Sequence, residues 1–183
     1  NCLFTNPVDG MCSDSEYGAM PDWDVSNVTD MSSAFSNKNS FNGDISSWDV
    51  SSVTNMSNMF NYASAFNQDI SSWDVSNVIN MSYMFEVAYA FNQDIGTWDV
   101  SSVTNMRDMF FLASAFNQDI SAWDVSSVTN LSTFLRGTSI SVANYDTLLT
   151  SWSALTLQQG VTFSNSTLQY CTAGDARQSI IDT

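Results

Sequence analysis

Two columns of aspartates carry the strongest chemical signal in the sequence. Their members recur every 25 residues: one column is Asp24, Asp49, Asp74, Asp99 and Asp124, and the other is Asp44, Asp69, Asp94 and Asp119. Carboxylates from neighbouring repeats could share a calcium ion, which takes oxygen ligands, and the candidates for that metal site are Asp49, Asp74, Asp99 and Asp124. A carboxylate pair could also hydrolyse a substrate by acid–base catalysis. The plain alternative is that each carboxylate accepts hydrogen bonds from groups two residues later, as in an Asx turn.

The composition excludes several other chemistries. The 183 residues include no histidine, which removes Ser-His-Asp and Cys-His catalysis and histidine metal sites. There are 4 Lys and Arg against 19 Asp and Glu, and the resulting net charge of −15 disfavours nucleic acid and anionic membranes as partners. The longest apolar run, residues 109–113, is far shorter than the roughly 20 residues of a membrane helix. We therefore expect no nucleic-acid binding and no membrane insertion.

The cysteines and the polar composition bear on the cellular compartment. Cys2 and Cys12 could form a disulfide that closes a small loop, which would indicate an oxidising compartment, or they could be two buried thiols. Cys171 is expected to be a buried free thiol. Few lysines together with abundant Ser, Asn, Thr and Asp are typical of a secreted or cell-surface protein.

The aspartates belong to an internal repeat of 25 residues. The unit reads W-D-V-S-x-V-T-x-M-x-x-M-F-x-x-A-x-x-F-N-Q-D-I-S-x, and it begins at Trp23, Trp48, Trp73, Trp98 and Trp123. Residues 48–72 and 98–122 are identical at 20 of 25 positions. A period of this length predicts a solenoid of stacked units, none of which can bury its apolar side alone. We expect an N-terminal cap over residues 1–21, the repeats over 22–137 and a C-terminal cap over 138–183.

Within the unit, hydrophobic spacing predicts both helix and strand. Met56 begins an i, i+3, i+4, i+7 pattern, which is typical of a short helix. Polar and apolar residues alternate around Val50 and Ile70, which is typical of short strands. The predicted fold is therefore an α/β repeat solenoid with short parallel strands on one side and short helices on the other. After the repeats, the i, i+3, i+4, i+7 spacing recurs from Tyr145 to Trp152 and predicts a capping helix. One further column of the repeats predicts a ladder of side chains that hydrogen-bond backbone groups at a turn: Asn42, Asn67, Asn92 and Asn117.

Three columns vary from repeat to repeat, and they are the positions where binding specificity could lie. They are Ser33, Asn58, Tyr83, Asp108 and Thr133; Ser36, Asn61, Glu86, Phe111 and Arg136; and Asn37, Tyr62, Val87, Leu112 and Gly137. We expect these positions to be largely exposed. An apolar stripe there could bind a partner, or it could be a partly covered edge of the helical side, and its members are Tyr62, Val87, Phe111 and Leu112. The ligand-binding candidates are Tyr62, Tyr83, Glu86, Phe111 and Leu112, together with Asp44, Asp69, Asp94 and Asp119.

The motif W-D-V-S-x-V-T-N-M-x-x-M-F, followed by F-N-Q-D-I-S, resembles the BspA-like leucine-rich-repeat surface proteins, including a repeat of unknown function found in mycoplasma lipoproteins and marine microbial surface proteins. The resemblance covers about residues 22–137, with Ile79 in place of Thr and Leu131 in place of Met. It implies a leucine-rich-repeat-like solenoid, extracellular exposure and adhesion to host or matrix proteins, and it implies no catalytic residues.

These observations together predict a non-enzymatic binding or adhesion module of a larger secreted or cell-surface protein. Its partner would be an extracellular protein or a glycan, and it would need no cofactor. The main alternative is a structural stalk or spacer stabilised by calcium. An ice-binding module and a carboxylate-dependent hydrolase are further alternatives.

Overall fold

The computed structural model describes residue 8, residues 19–163, residue 168 and residues 173–181. Regular structure in this part comprises a 3₁₀ turn at Met20–Asp22 and two helices, α1 (Val142–Ser153) and α2 (Gly174–Ile181). The predictions for Cys2, Cys12 and Cys171 lie outside the described residues. The three-part division at residues 21 and 137 stays a prediction.

The predicted α/β solenoid of leucine-rich-repeat type is wrong. Across the described residues no strand forms, and the β contacts are isolated parallel bridges in one column, Asp30, Asn55, Asn80, Asn105, Asn130 and Thr162. Neither helix lies in the repeats, since α1 begins only at Val142. The repeats consist of turns, and successive repeats are joined by backbone hydrogen bonds.

The segment predicted as a helix, residues 56–63 in the second repeat, is a series of turns that we call the turn segment. Asn58 and Tyr62 have φ angles of 58° and 57°, in the left-handed region that interrupts an α-helix. The N–H of Met59 donates to Met56 O in the same repeat, at 3.2 Å, whereas the N–H of Phe60 donates to Met84 O in the next, at 2.9 Å. Hydrogen bonds that leave the segment in this way explain why a helix-like spacing of inward side chains occurs without a helix.

The segments predicted as strands are also turns. The N–H of Val53 donates to Val50 O at 2.9 Å, and the N–H of Trp73 donates to Ile70 O at 3.2 Å. These i to i+3 bonds close β-turns that direct Val50 and Ile70 inward, and both side chains are buried. A short alternation of polar and apolar residues therefore arises from turns here.

Aromatic side chains stack between repeats in the core. Phe35, Phe60, Phe85 and Phe110 form one column with ring centroids 5.4, 5.5 and 5.6 Å apart, and Phe41, Phe66, Phe91 and Phe116 form a second with centroids 5.9, 6.1 and 6.2 Å apart. The indole of Trp73 donates from Nε1 to the carbonyl of Ile45 at 3.2 Å, and Trp98 and Trp123 repeat that bond one and two repeats later. Each repeat therefore completes the core of its neighbour.

The predicted asparagine ladder is confirmed. The N–H of Asn67 donates to Asn42 Oδ1 at 2.8 Å, that of Asn92 to Asn67 Oδ1 at 2.9 Å, and that of Asn117 to Asn92 Oδ1 at 2.8 Å. Ser141, the N-cap of α1, continues the ladder by donating its N–H to Asn117 Oδ1 at 2.7 Å. A side-chain oxygen thus accepts one backbone N–H in each repeat, as the pairing of buried polar groups requires.

The predicted capping helix is also confirmed, as α1. Its buried side chains are Tyr145, Leu148, Leu149 and Trp152, which follow the spacing seen in the sequence. Trp152 contacts Phe134 of the fifth repeat with ring centroids 5.9 Å apart, and Leu131 donates its N–H to Thr162 O at 3.0 Å. The C-terminal segment therefore covers the last repeat.

Candidate functional site

The carboxylates of both aspartate columns take part in their own turns. Asp49 Oδ1 accepts the N–H of Ser51 at 3.0 Å and its hydroxyl at 2.6 Å, and Asp44 accepts the same two groups from Ser46 at 3.0 and 2.7 Å. In both columns every Oδ1 accepts a backbone N–H two residues later, and all nine side chains are exposed. The Asx-turn geometry considered for these residues is therefore what the structure contains.

These hydrogen bonds also stabilise the charged form of the carboxylates. The hydroxyl of Ser51, followed by its backbone N–H, holds the pKa of Asp49 below its ordinary value, and equivalent bonds lower the pKa of Asp24, Asp44, Asp69 and Asp99. Among the described residues, no three His, Cys, Asp or Glu side chains form a group that could hold a metal ion. Calcium binding by Asp49, Asp74, Asp99 and Asp124 stays a prediction.

One side of the molecule differs most between repeats, although single differences also occur elsewhere, as at Ile79 and Gly96. Residues 48–72 and 98–122 differ at five positions, of which four lie in the turn segment: Ser57 against Arg107, Asn58 against Asp108, Asn61 against Phe111, and Tyr62 against Leu112. We call the surface formed by residues 32–39, 57–64, 82–89, 107–114 and 132–139 the variable face. The constant positions include the core aromatics, the asparagine ladder and the aspartate turns.

The variable face is only partly exposed, so the apolar stripe expected from the sequence is interrupted. Tyr62 and Leu112 are 44% and 39% exposed, but Val87 between them is 4% exposed and Phe111 is half-buried. Tyr89, which was not among the candidates, is 49% exposed on the same face. The expected exposure therefore holds for Tyr62 and Leu112 and fails for Val87, Asn61 and Asp108, which are buried.

A polar cluster crosses the variable face from the second repeat to the fifth. Asn61 donates from Nδ2 to Glu86 Oε2 at 2.6 Å, and Arg107 donates from Nε to Asp108 Oδ2 at 3.0 Å. Asp108 is only 9% exposed and also accepts the hydroxyl of Thr133 in the next repeat. Burial, and then the charge of Asp108, raise the pKa of Glu86, against the opposing effect of Asn61. The two carboxylates thus lie in a more desolvated environment than the aspartate columns.

Two arginines lie over aromatic rings of the preceding repeats. The guanidinium carbon of Arg107 is 5.6 Å from the ring centroid of Tyr83, and that of Arg136 is 5.8 Å from the ring centroid of Phe111. Both distances fall within the range of cation–π attraction. With Lys38, three of the four cations in the sequence lie on this face.

Sequence reasoning placed Tyr62, Tyr83, Glu86, Phe111 and Leu112 correctly on one face. Asp108 and Arg136 stood in the variable columns but were not named as ligand-binding candidates, and Arg107 was in neither set. The comparison of residues 48–72 with 98–122 could have found Arg107 and Asp108, because the differences between these repeats concentrate there. Asp44, Asp69, Asp94 and Asp119 lie outside the variable face.

Neither helix in the described part of the chain is long and apolar enough to cross a membrane.

A family model described as Mycoplasma protein of unknown function, DUF285, matches residues 8–101 and again residues 78–168. No curated protein and no solved structure matches the chain. The family is associated with mycoplasma surface proteins. The two matches together extend over most of the sequence, so the chain belongs to the DUF285 family.

Proposed function

We propose that this chain is a non-enzymatic binding module of a surface-exposed protein, and that it recognises an extracellular protein or glycan through its variable face. The observation that carries the proposal is that three columns of the variable face hold a different residue in each of the five repeats, whereas differences elsewhere, such as Ile79 and Gly96, occur in single repeats. Four of the five differences between residues 48–72 and 98–122 fall on that face. The fifth difference, Ser72 against Ala122, exchanges two small residues.

The backbone at the variable face supports the same proposal. Tyr62, Val87 and Leu112 have φ angles of 57°, 58° and 58°, in a region that costs residues other than glycine and asparagine about 1–2 kcal/mol each. The same column ends in Asn37 and Gly137, which adopt this conformation more easily. The bulky side chains of Tyr62 and Leu112, which are exposed at strained positions, are better explained by surface recognition than by stability, whereas Val87 is buried.

Placement outside the cell is supported by the association of the family with surface proteins and by the polar, lysine-poor composition. The resemblance of the repeat motif to BspA-like surface proteins supports adhesion as the role. Recognition through the variable face involves no metal, cofactor or catalytic group. The calcium-stabilised stalk is the less favoured proposal, because the aspartates that would hold the ion already accept hydrogen bonds within their own turns.

The test compares the wild-type chain with a variant that makes the turn segment of the fourth repeat the same as that of the second. The variant carries Arg107→Ser, Asp108→Asn, Phe111→Asn and Leu112→Tyr, which are the residues that the same backbone already accommodates at positions 57, 58, 61 and 62. Both proteins are applied to arrays of glycans and extracellular matrix proteins. We expect the wild type to bind one partner class and the variant to lose it. Absence of binding by the wild type on both arrays would contradict the proposal.

A further inference from the structure

We propose that Glu86 and Tyr62 form a receptor for a lysine or arginine side chain of a protein partner. This inference rests on the proposed binding function and selects a basic protein segment, instead of a glycan, as the partner. It is carried by a carboxylate and an exposed aromatic ring that lie in neighbouring repeats, each without a cation from the described part of the chain.

Glu86 carries a negative charge that its surroundings do not neutralise. Its Oε2 accepts the uncharged amide of Asn61 at 2.6 Å, and its Oε1 has no hydrogen-bond partner among the described residues. The nearby ion pair joins Arg107 to Asp108 instead. Burial raises the pKa of Glu86, against the hydrogen bond from Asn61, and the charge of Asp108 raises this pKa more than that of Arg107 lowers it. A cation at Oε1 would therefore stabilise a charge that is partly desolvated and unpaired.

Tyr62 lies beside this carboxylate. Its N–H donates to Glu86 O at 2.8 Å, which makes the two residues neighbours across two repeats. Tyr83 and Arg107 have the same relation, because the N–H of Tyr83 donates to Arg107 O at 2.8 Å, and there the two side chains are in contact, with the guanidinium carbon 5.6 Å from the ring centroid. The shared register directs the carboxylate of Glu86 toward the ring of Tyr62, which is 44% exposed.

Two other aromatic rings of the variable face already have a cation over them. Arg107 lies over Tyr83, and Arg136 lies over Phe111 with its guanidinium carbon 5.8 Å from the ring centroid. Within the described ranges no such cation lies over Tyr62. A lysine or arginine from a partner could pair with the carboxylate and contact this ring at once, since cation–π attraction acts within about 6 Å.

The charge of the whole molecule favours the same class of partner. The sequence contains 4 Lys and Arg against 19 Asp and Glu, a net charge of −15. A field of this sign attracts basic partners and repels acidic polysaccharides and acidic peptides. Because charges are screened beyond about 8 Å at physiological salt, this field speeds the encounter, whereas Glu86 and Tyr62 determine where the cation binds.

The experiment measures, by fluorescence anisotropy at physiological salt, the binding of labelled hexalysine and of the same peptide with every side-chain amine acetylated. Wild type is compared with Glu86→Gln, which keeps an oxygen that can accept Asn61, and with Tyr62→Asn, which suits the φ of 57°. The matched control is Asp74→Asn, which removes one negative charge from the same repeat, outside the variable face, and keeps the acceptor for Ser76.

We expect the wild type and Asp74→Asn to bind hexalysine within about twofold of each other, and the acetylated peptide to bind the wild type about tenfold more weakly or less. Glu86→Gln should weaken hexalysine binding about tenfold, and Tyr62→Asn about two- to fivefold. Melting temperatures show that each variant is folded, and Tyr62→Asn remains a test if Glu86→Gln unfolds.

The contrary results overturn the inference separately from the proposed function. Equal losses in Glu86→Gln and Asp74→Asn would show that binding follows total charge. Equal binding of the acetylated peptide, no binding of hexalysine, or a Tyr62→Asn variant that binds as the wild type does would remove the receptor, and a glycan as the partner found on the arrays would contradict the ligand class. The proposed function itself fails only if the wild type binds nothing on those arrays.

Discussion

The indole hydrogen bonds between repeats make a prediction that separates packing from hydrogen bonding. In Trp73→Phe, the side chain keeps most of its apolar contact with Phe60, whose ring lies 6.3 Å away, but it loses the bond from Nε1 to Ile45 O. That carbonyl keeps a second donor, the N–H of Trp48 at 3.2 Å, so it is not left unpaired. The lost hydrogen bond therefore costs about 1 kcal/mol, at the ordinary net value.

The smaller ring adds a second cost. Trp73 is buried, and replacing an indole by a phenyl ring leaves a cavity of roughly 40–60 Å³, which costs about 1–1.5 kcal/mol. We expect Trp73→Phe to lower the free energy of unfolding by about 2–2.5 kcal/mol. The matched control is Trp23→Phe, since Trp23 is half-buried and its Nε1 has no partner among the described residues. The control should cost about 1 kcal/mol or less.

Urea denaturation of both variants, followed by circular dichroism, gives the two free energies. A difference of about 1–2 kcal/mol between them supports the hydrogen bond that joins the repeats. Equal costs, or a cost for Trp73→Phe below about 0.5 kcal/mol, would refute the assignment of the indoles as buried donors.

Three further predictions concern the surface. Tyr62→Asn should raise the free energy of unfolding by up to about 1 kcal/mol, because asparagine adopts a φ of 57° with less strain; a loss of stability in urea would contradict this. Folding lowers the pKa values of five aspartates, Asp24, Asp44, Asp49, Asp69 and Asp99. The stability that these carboxylates contribute is therefore present above their unfolded pKa near 4 and is lost as the pH falls through the folded pKa values. Urea midpoints at pH 7 and pH 3 measure this loss, and equal midpoints would contradict the prediction. Calcium at millimolar concentration should leave the melting temperature unchanged, whereas a shift of about ten degrees, removed by Asp74→Asn with Asp99→Asn, would favour the calcium-stabilised stalk.

The parts of the structure that could be predicted from the sequence are those fixed by repetition and by local chemistry. The Asx turns follow from a carboxylate placed two residues before a backbone N–H, as at Asp49 and Ser51. The ladder through Asn67 follows from a polar side chain at the same place in each repeat. Helix α1 follows from a full hydrophobic pattern with Ser141 as its N-cap.

The secondary structure of the repeats could not be predicted from spacing, because different backbones can direct the same side chains inward. Left-handed residues such as Asn58 and Tyr62 divide an apparent helix into turns, and residue type gave little indication of this, since Val87 adopts the same conformation. At Val50 and Ile70 the alternation was too short to distinguish a strand from a turn. The site was only partly visible for a similar reason, because Asp108 is buried and is hydrogen-bonded to Thr133, which lies 25 residues away in the sequence.

The central claim is that the variable face, and not the constant frame, recognises the partner. The most direct measurement is the affinity of the wild type and of the fourth-repeat variant (Arg107→Ser, Asp108→Asn, Phe111→Asn and Leu112→Tyr) for the partner found on the arrays, with melting temperatures measured in parallel. We predict that the variant melts within a few degrees of the wild type and binds about tenfold more weakly or not at all. Unchanged affinity in a folded variant would contradict the claim and would place recognition on the constant surfaces of the repeats.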